Sequence, residues 1–129
     1  MKRSGSDVTI VGFSKPMRMI LEAAAELESQ GISAEVVDIR TIRPLDEASI
    51  YASVRKTNRC VVVDEAWPFA SVGTHIGWLV SKNCFDYLDA PVECVTGEDV
   101  PMPYNHRLEL AAQPSVEKVI AAVKRTLYV

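Results

Sequence analysis

Two apolar periodicities alternate along the chain. Short continuous runs, of the kind a strand buried on both faces shows, are followed by segments whose apolar positions recur every three or four residues. Val8-Thr9-Ile10-Val11-Gly12-Phe13 predicts a first strand. Met17, Ile20, Leu21, Ala24 and Leu27 then form one helical stripe, with Ser14 as its expected cap, Pro16 in its first turn and Gln30-Gly31 at its end. Residues 34–38 predict a second strand, and residues 45–56 a helix entered through Pro44 and Asp46. Residues 60–64 predict the third and most deeply buried strand. A helix over 71–82 follows it, with Val72, Ile76, Leu79 and Val80 on one face. Residues 92–96 predict a fourth strand. A long irregular stretch with Pro101, Pro103 and Pro114 leads to a last helix over 116–127, striped by Val119, Ile120 and Val123. Strand and helix in strict alternation predict an α/β fold of three layers, α/β/α, around a mostly parallel sheet of four to five strands.

Composition narrows the function classes. At 129 residues the chain is one domain, and 48% hydrophobic with 24% charged residues excludes disorder. A net charge of −3 with scattered Lys and Arg lacks the basic face that nucleic acid requires. No run of about 18 apolar residues crosses a membrane, and the basic N-terminus has no apolar segment behind it to make a leader. Cys60, Cys84 and Cys94 are odd in number and lack CxxC spacing, so they read as reduced, buried thiols. His75 and His106 have no metal-type spacing with Cys, Asp or Glu. Gly-rich phosphate loops and a GxSxG elbow are both missing.

Three features bear on function. Asp64 and Glu65 close the third strand at the carboxyl edge, where parallel sheets carry ligands, although polar residues resume at any strand end. Trp67, Pro68 and Phe69 follow in a loop. Two large aromatics there either fold back over the core or bury against another protein, and the second reading is favoured. Gly73 and Gly77 stand one turn apart on the next helix, open either to close packing on their own sheet or to the approach of a neighbouring helix.

Several segments together carry a resemblance. Asp38-Ile39-Arg40-Thr41-Ile42-Arg43-Pro44-Leu45-Asp46 is similar to the D-L-R-T-I-R-P-x-D segment of the beta subunits of thiamine-dependent 2-oxoacid dehydrogenases. Lys56-Thr57-Asn58-Arg59, Asp64-Glu65-Ala66-Trp67-Pro68 and Val72-Gly73 continue in the same order. Phe85-Asp86-Tyr87-Leu88-Asp89-Ala90-Pro91 and residues 95–104 resemble most the branch that decarboxylates pyruvate. The resemblance spans residues 7–129 and is specific to the C-terminal domain of that subunit, of transketolase C-terminal type, with residues 1–6 a short extension before it. Glu65-Ala66 and Phe69-Ala70 depart from the usual pattern and leave the branched-chain and acetoin dehydrogenases open.

The resemblance implies a division of labour. Thiamine diphosphate, magnesium and the catalytic histidine belong to a longer domain that would precede this one. This stretch is therefore expected to hold no catalytic, cofactor or metal residue and to be inactive alone. Its implied partners are the alpha subunit, a second beta subunit and the small subunit-binding domain of the dihydrolipoyl acyltransferase, and Trp67, Pro68, Phe69, Gly73 and Gly77 are the expected subunit-interface residues. For the last, the implied dock is Asp89 and the carboxylate of Val129, expected as one exposed acidic patch, with Phe85 adding apolar contact. The implied sheet order is second, first, third, fourth. The second strand is then an edge that is exposed, paired with a neighbouring chain, or covered by residues 1–6. The compartment would be bacterial cytoplasm or mitochondrial matrix. An independent small α/β nucleotide-binding enzyme using Asp64, Glu65 and His75 is the competing reading.

Overall fold

The computed structural model describes all 129 residues. The strands β1 (Val8–Gly12), β2 (Ala34–Asp38), β3 (Cys60–Val63) and β4 (Glu93–Val95) form one parallel sheet ordered β2-β1-β3-β4. The helices are α1 (Pro16–Ser29), α2 (Glu47–Thr57), α3 (Val72–Asn83), α4 (His106–Ala112) and α5 (Val116–Leu127), with a 3₁₀ turn at Phe85–Tyr87.

The strand period of two splits the core in two. Val8, Ile10, Ala34, Val36, Val61, Val63 and Val95 face one side and pack with Ile20, Ala24 and Leu27 of α1 and Val119 and Val123 of α5. Val11, Val37, Cys60 and Val62 face the other, against Ile50 and Val54 of α2 and Ile76 and Val80 of α3. The strands are mostly apolar on both faces because both faces are covered, which is why they read as runs instead of alternations, with Thr9 and Glu35 the buried polar exceptions.

Element ends follow their chemistry. Asp46, Ser71 and Ser115 each accept a backbone N–H from three residues on, capping α2, α3 and α5. Gly31, with φ of 81°, ends the turn after α1 as Gln30-Gly31 requires. Ser14 does not cap α1. It has φ of 58°, the cap position falls to Lys15 without a side-chain bond, and Pro16 starts the helix with no N–H to satisfy. The supposedly irregular stretch after β4 contains α4. Asn105 caps it by accepting from Arg107 N at 3.0 Å. Only Ala112 of that helix is buried, so no apolar stripe marks it in the sequence.

The β2 edge is covered from within the chain. Residues Lys2 and Arg3 donate to Val36 O, Val36 N donates back to Arg3 O at 2.9 Å, and Arg3 bridges Val36 in antiparallel sense. At Gly5 a Cβ would lie 2.3 Å from Ala34 C and Glu35 N, so only glycine permits this approach.

Candidate docking and interface surfaces

At the carboxyl ends of the strands, the sheet order reverses between β1 and β3, the place where an open α/β sheet offers a ligand crevice. Here that crevice is bridged by the chain itself. Lys15 Nζ lies 2.9 Å from Glu65 Oε1, and this hydrogen bond raises the Lys15 pKa. Asp64 is buried and accepts from Gly73 N at 2.8 Å and Ala66 N at 3.0 Å, so its carboxylate anchors the loop and the start of α3. His75 is exposed and stacks on Trp78, with ring centroids 5.9 Å apart, and does not meet Asp64 or Glu65 in any hydrogen bond. The three residues of the competing enzyme reading therefore have separate structural partners.

Gly73 and Gly77 look inward. A Cβ at Gly73 would lie 2.8 Å from Asp64 Cβ, and one at Gly77 would lie 3.2 Å from Cys94 Sγ. Both glycines allow close packing of α3 on its own sheet. Trp67 and Phe69 look outward, 53% and 85% exposed, with Pro68 exposed between them. Gly97 N donates to Ala66 O at 3.0 Å and draws the loop after β4 alongside. That loop and α4 add exposed Val100, Met102, Tyr104, Leu108 and Leu110, making this end of the sheet broadly apolar. Lys118 Nζ holds α4 in place, 2.8 Å from Glu98 Oε1 and 3.2 Å from the carbonyls of Ala111 and Gln113. The bond to Glu98 lowers the pKa of that carboxyl.

At the opposite end of the strands lie the residues of the expected dock. Asp89 sits in the turn before β4, half-exposed, and Tyr128 Oη, just past the end of α5, donates to its carbonyl at 3.4 Å. The chain's last helix thus does run back along the sheet to the Asp89 turn, thirty-nine positions away in sequence. Val129 is exposed beyond it. The expected acidic patch needs correction in one respect: Asp89 Oδ2 is already 3.2 Å from Nη2 of Arg59. Nothing in the spacing of the sequence pointed to that pair, because its two residues belong to segments thirty positions apart. Phe85, 76% exposed, stands at the mouth of a shallow groove of about 480 Å³ lined by Ser81, Leu88, Ala90, Pro91 and Val92. Arg55 lies over the neighbouring Tyr87 ring, 5.3 Å from its centroid.

The thiols have no catalytic setting. Cys60 and Cys84 are buried, Cys94 is half-buried, all three are free, and burial pushes each of their pKa values up, away from the reactive thiolate. No group of three His, Cys, Asp or Glu side chains is arranged to hold a metal ion, and no helix is long and apolar enough to cross a membrane.

The profile of the family described as "Transketolase, C-terminal domain" matches residues 1–119. The chain is 52% identical over 126 residues to the pyruvate dehydrogenase E1 component subunit beta of Rickettsia felis, covering 98% of this chain and 39% of that protein. It is likewise 52% identical over 128 residues to the mitochondrial E1 component subunit beta-1 of Oryza sativa, covering 99% of this chain and 34% of that one. A solved structure, a split-gene transketolase described as an inactive beta4 tetramer, superposes with a TM-score of 0.83 at 30% identity, over 98% of this chain and 40% of that one. The chain therefore spans between a third and two fifths of the length of these relatives.

Proposed function

Because the chain belongs to the transketolase C-terminal domain family, we propose that it is the assembly and docking domain of a pyruvate dehydrogenase beta subunit. The complete enzyme would decarboxylate pyruvate and reductively acetylate lipoyl groups with thiamine diphosphate and magnesium bound outside this stretch. This domain would support association with the alpha subunit and a second beta subunit, and would receive the subunit-binding domain of the dihydrolipoyl acyltransferase. The compartment would be that of the named relatives, bacterial or mitochondrial.

The observation that carries the docking reading is the setting of Asp89. A half-exposed carboxylate stands beside the apolar groove at Phe85 and beside exposed Val129, so a partner with one cation and one apolar side chain finds both complements in one place. Exposed Trp67, Pro68 and Phe69 on the other end of the sheet supply the subunit contact, since aromatic residues beside proline anchor interfaces and here cover no core of their own.

The test is surface plasmon resonance of the chain against an acyltransferase subunit-binding domain. Asp89→Ala and Phe85→Ser are each expected to weaken binding, the first most at low salt. Equal affinity of the chain and both variants, or no binding by the unsubstituted chain, overturns the reading. Calorimetry with thiamine diphosphate and magnesium is expected to give no saturable heat, and saturable micromolar binding would place part of the cofactor site here.

A further inference from the structure

Three segments distant in sequence meet at one guanidinium. Arg59 Nε donates to Thr126 O at 2.9 Å, while Nη2 of the same side chain is 3.2 Å from Asp89 Oδ2. The backbone reinforces the junction: Asp89 N donates to Asn58 O at 2.9 Å, and Tyr128 Oη donates to Asp89 O. Asn58, in the left-handed region with φ of 61°, ends α2 and turns the chain into β3 immediately before Arg59. Thr126 O is among the last carbonyls of α5, which lack an intrahelical donor, and a cation is favoured at that end of a helix. The Arg59 side chain is 24% exposed against 52% for Asp89, so the cation is the more deeply seated member of the pair.

These contacts do different things for Asp89. The ion pair to Arg59 is made through Oδ2 at 3.2 Å, and no hydrogen bond within the chain reaches Oδ1. The hydrogen bond from Nε to Thr126 O sets the guanidinium at the end of α5, and the ion pair with Asp89 extends from its Nη2. A lysine ammonium is a point charge on one nitrogen and lacks the separate, rigidly spaced donors with which arginine reaches two acceptors at once.

We infer that Arg59 is the positioning residue of the dock, holding Asp89 by one carboxylate oxygen so that the other faces an incoming basic partner at a fixed place beside the end of α5. The inference rests on the docking reading above. It also fixes what the partner does on arrival: its cation joins the Arg59–Asp89 pair and does not displace Arg59. Arg59 thus has two opposed effects. Its charge weakens the long-range attraction of the site for a cation, and its geometry lengthens the life of the complex once formed.

Association and dissociation rates separate these effects. Binding of the acyltransferase subunit-binding domain is followed for the unsubstituted chain, Arg59→Lys, Arg59→Met, Asp89→Asn and the Arg59→Lys/Asp89→Asn double variant, at low and high salt. Arg59→Lys keeps the charge, so its association rate should stay within about twofold while dissociation accelerates about three- to tenfold. Arg59→Met removes the charge and should associate faster at low salt, yet also dissociate faster. In the Asp89→Asn background, Arg59→Lys should have little further effect. Parental dissociation from Arg59→Lys, or an Arg59 effect that persists fully without the Asp89 charge, overturns the inference and leaves the dock standing. Unchanged binding by Asp89→Asn at low salt overturns the dock itself. A measurement without the partner guards against misfolding. If Arg59→Lys melts like the parent, the heteronuclear NOE of the Tyr128 and Val129 amides should fall, and unchanged values count against positioning.

Discussion

Asp64 stands where β3 gives way to the loop before α3, and both of its carboxylate oxygens accept backbone N–H groups, from Ala66 and Gly73. An aspartate so placed resembles a catalytic acid in sequence and acts as a brace in the fold. Removing it leaves two N–H groups without their acceptor near a buried position, so Asp64→Ala is expected to cost about 2–3 kcal/mol of folding stability in urea titrations. Asp64→Asn, which retains one carbonyl acceptor, is expected to cost less, and equal losses would show that charge rather than geometry is what matters. Gly73 belongs to the same arrangement, because its missing Cβ is what lets Asp64 come so near. The apolar run of β3 and its polar end put Asp64 and Glu65 at the carboxyl edge correctly. Their partners were not legible, since Gly73 and Lys15 reach them from other elements.

At the scale of elements, the β2 edge is the instructive case. Glu35 is buried on the face that meets α2, paired across the sheet with Thr9. Its Oε1 accepts from Ser53 Oγ at 2.8 Å, and its Oε2 accepts from Gly5 N at 3.2 Å and from Lys56. Thr9 Oγ1 extends the cluster to Ser53 at 2.8 Å and Thr57 at 2.7 Å, so every member is satisfied. Burial pushes the Glu35 carboxyl up, but the bonds from Lys56, Ser53 and Gly5 together outweigh it, and its pKa lies below the ordinary glutamate value. A depressed folded-state pKa contributes stability that is present above the unfolded value and lost as pH falls through the folded one. The hold on the N-terminal segment should therefore be insensitive to pH near neutrality and weaken only in acid. Hydrogen exchange of the Val36 amide, which donates to Arg3 O, reports that hold directly. Gly5→Ala forces a Cβ into backbone and is expected to speed that exchange roughly tenfold at neutral pH. Unchanged exchange would mean that Lys2 and Arg3 pair with β2 independently of Gly5. The apolar run marked this strand's bounds and the family resemblance implied its edge position, whereas Glu35 inside that run gave no sign of which groups would neutralise it. The short helix α4 escaped for the converse reason, since a helix resting almost wholly in solvent carries no stripe.

Over the whole molecule, the parallel sheet separates two surfaces. Strand direction puts Trp67, Phe69, Met102 and Tyr104 at the carboxyl ends, while Arg59, Asp89 and the end of α5 gather at the amino ends. Strand order and layers followed from periodicity together with family resemblance. The character of each surface did not, because exposure depends on which loops fold back, and here neither Trp67 nor Phe69 does. An apolar surface of several large side chains is unusual on a monomer and drives association, whereas a half-exposed ion pair contributes little to it. The two ends should then be separable by substitution. Trp67→Ser with Phe69→Ser is expected to lower self-association in sedimentation velocity, or binding of the alpha subunit, while leaving the kinetics of subunit-binding-domain docking unchanged. Asp89→Ala should do the reverse, weakening docking with no change in sedimentation. Salt sharpens the contrast: association through the aromatic end should persist as ionic strength rises, because apolar burial is not screened, while docking at Asp89 should slow. If Asp89→Ala also shifts the sedimentation profile, the dock and the subunit contact share one surface, and the division of the molecule into two working ends is wrong.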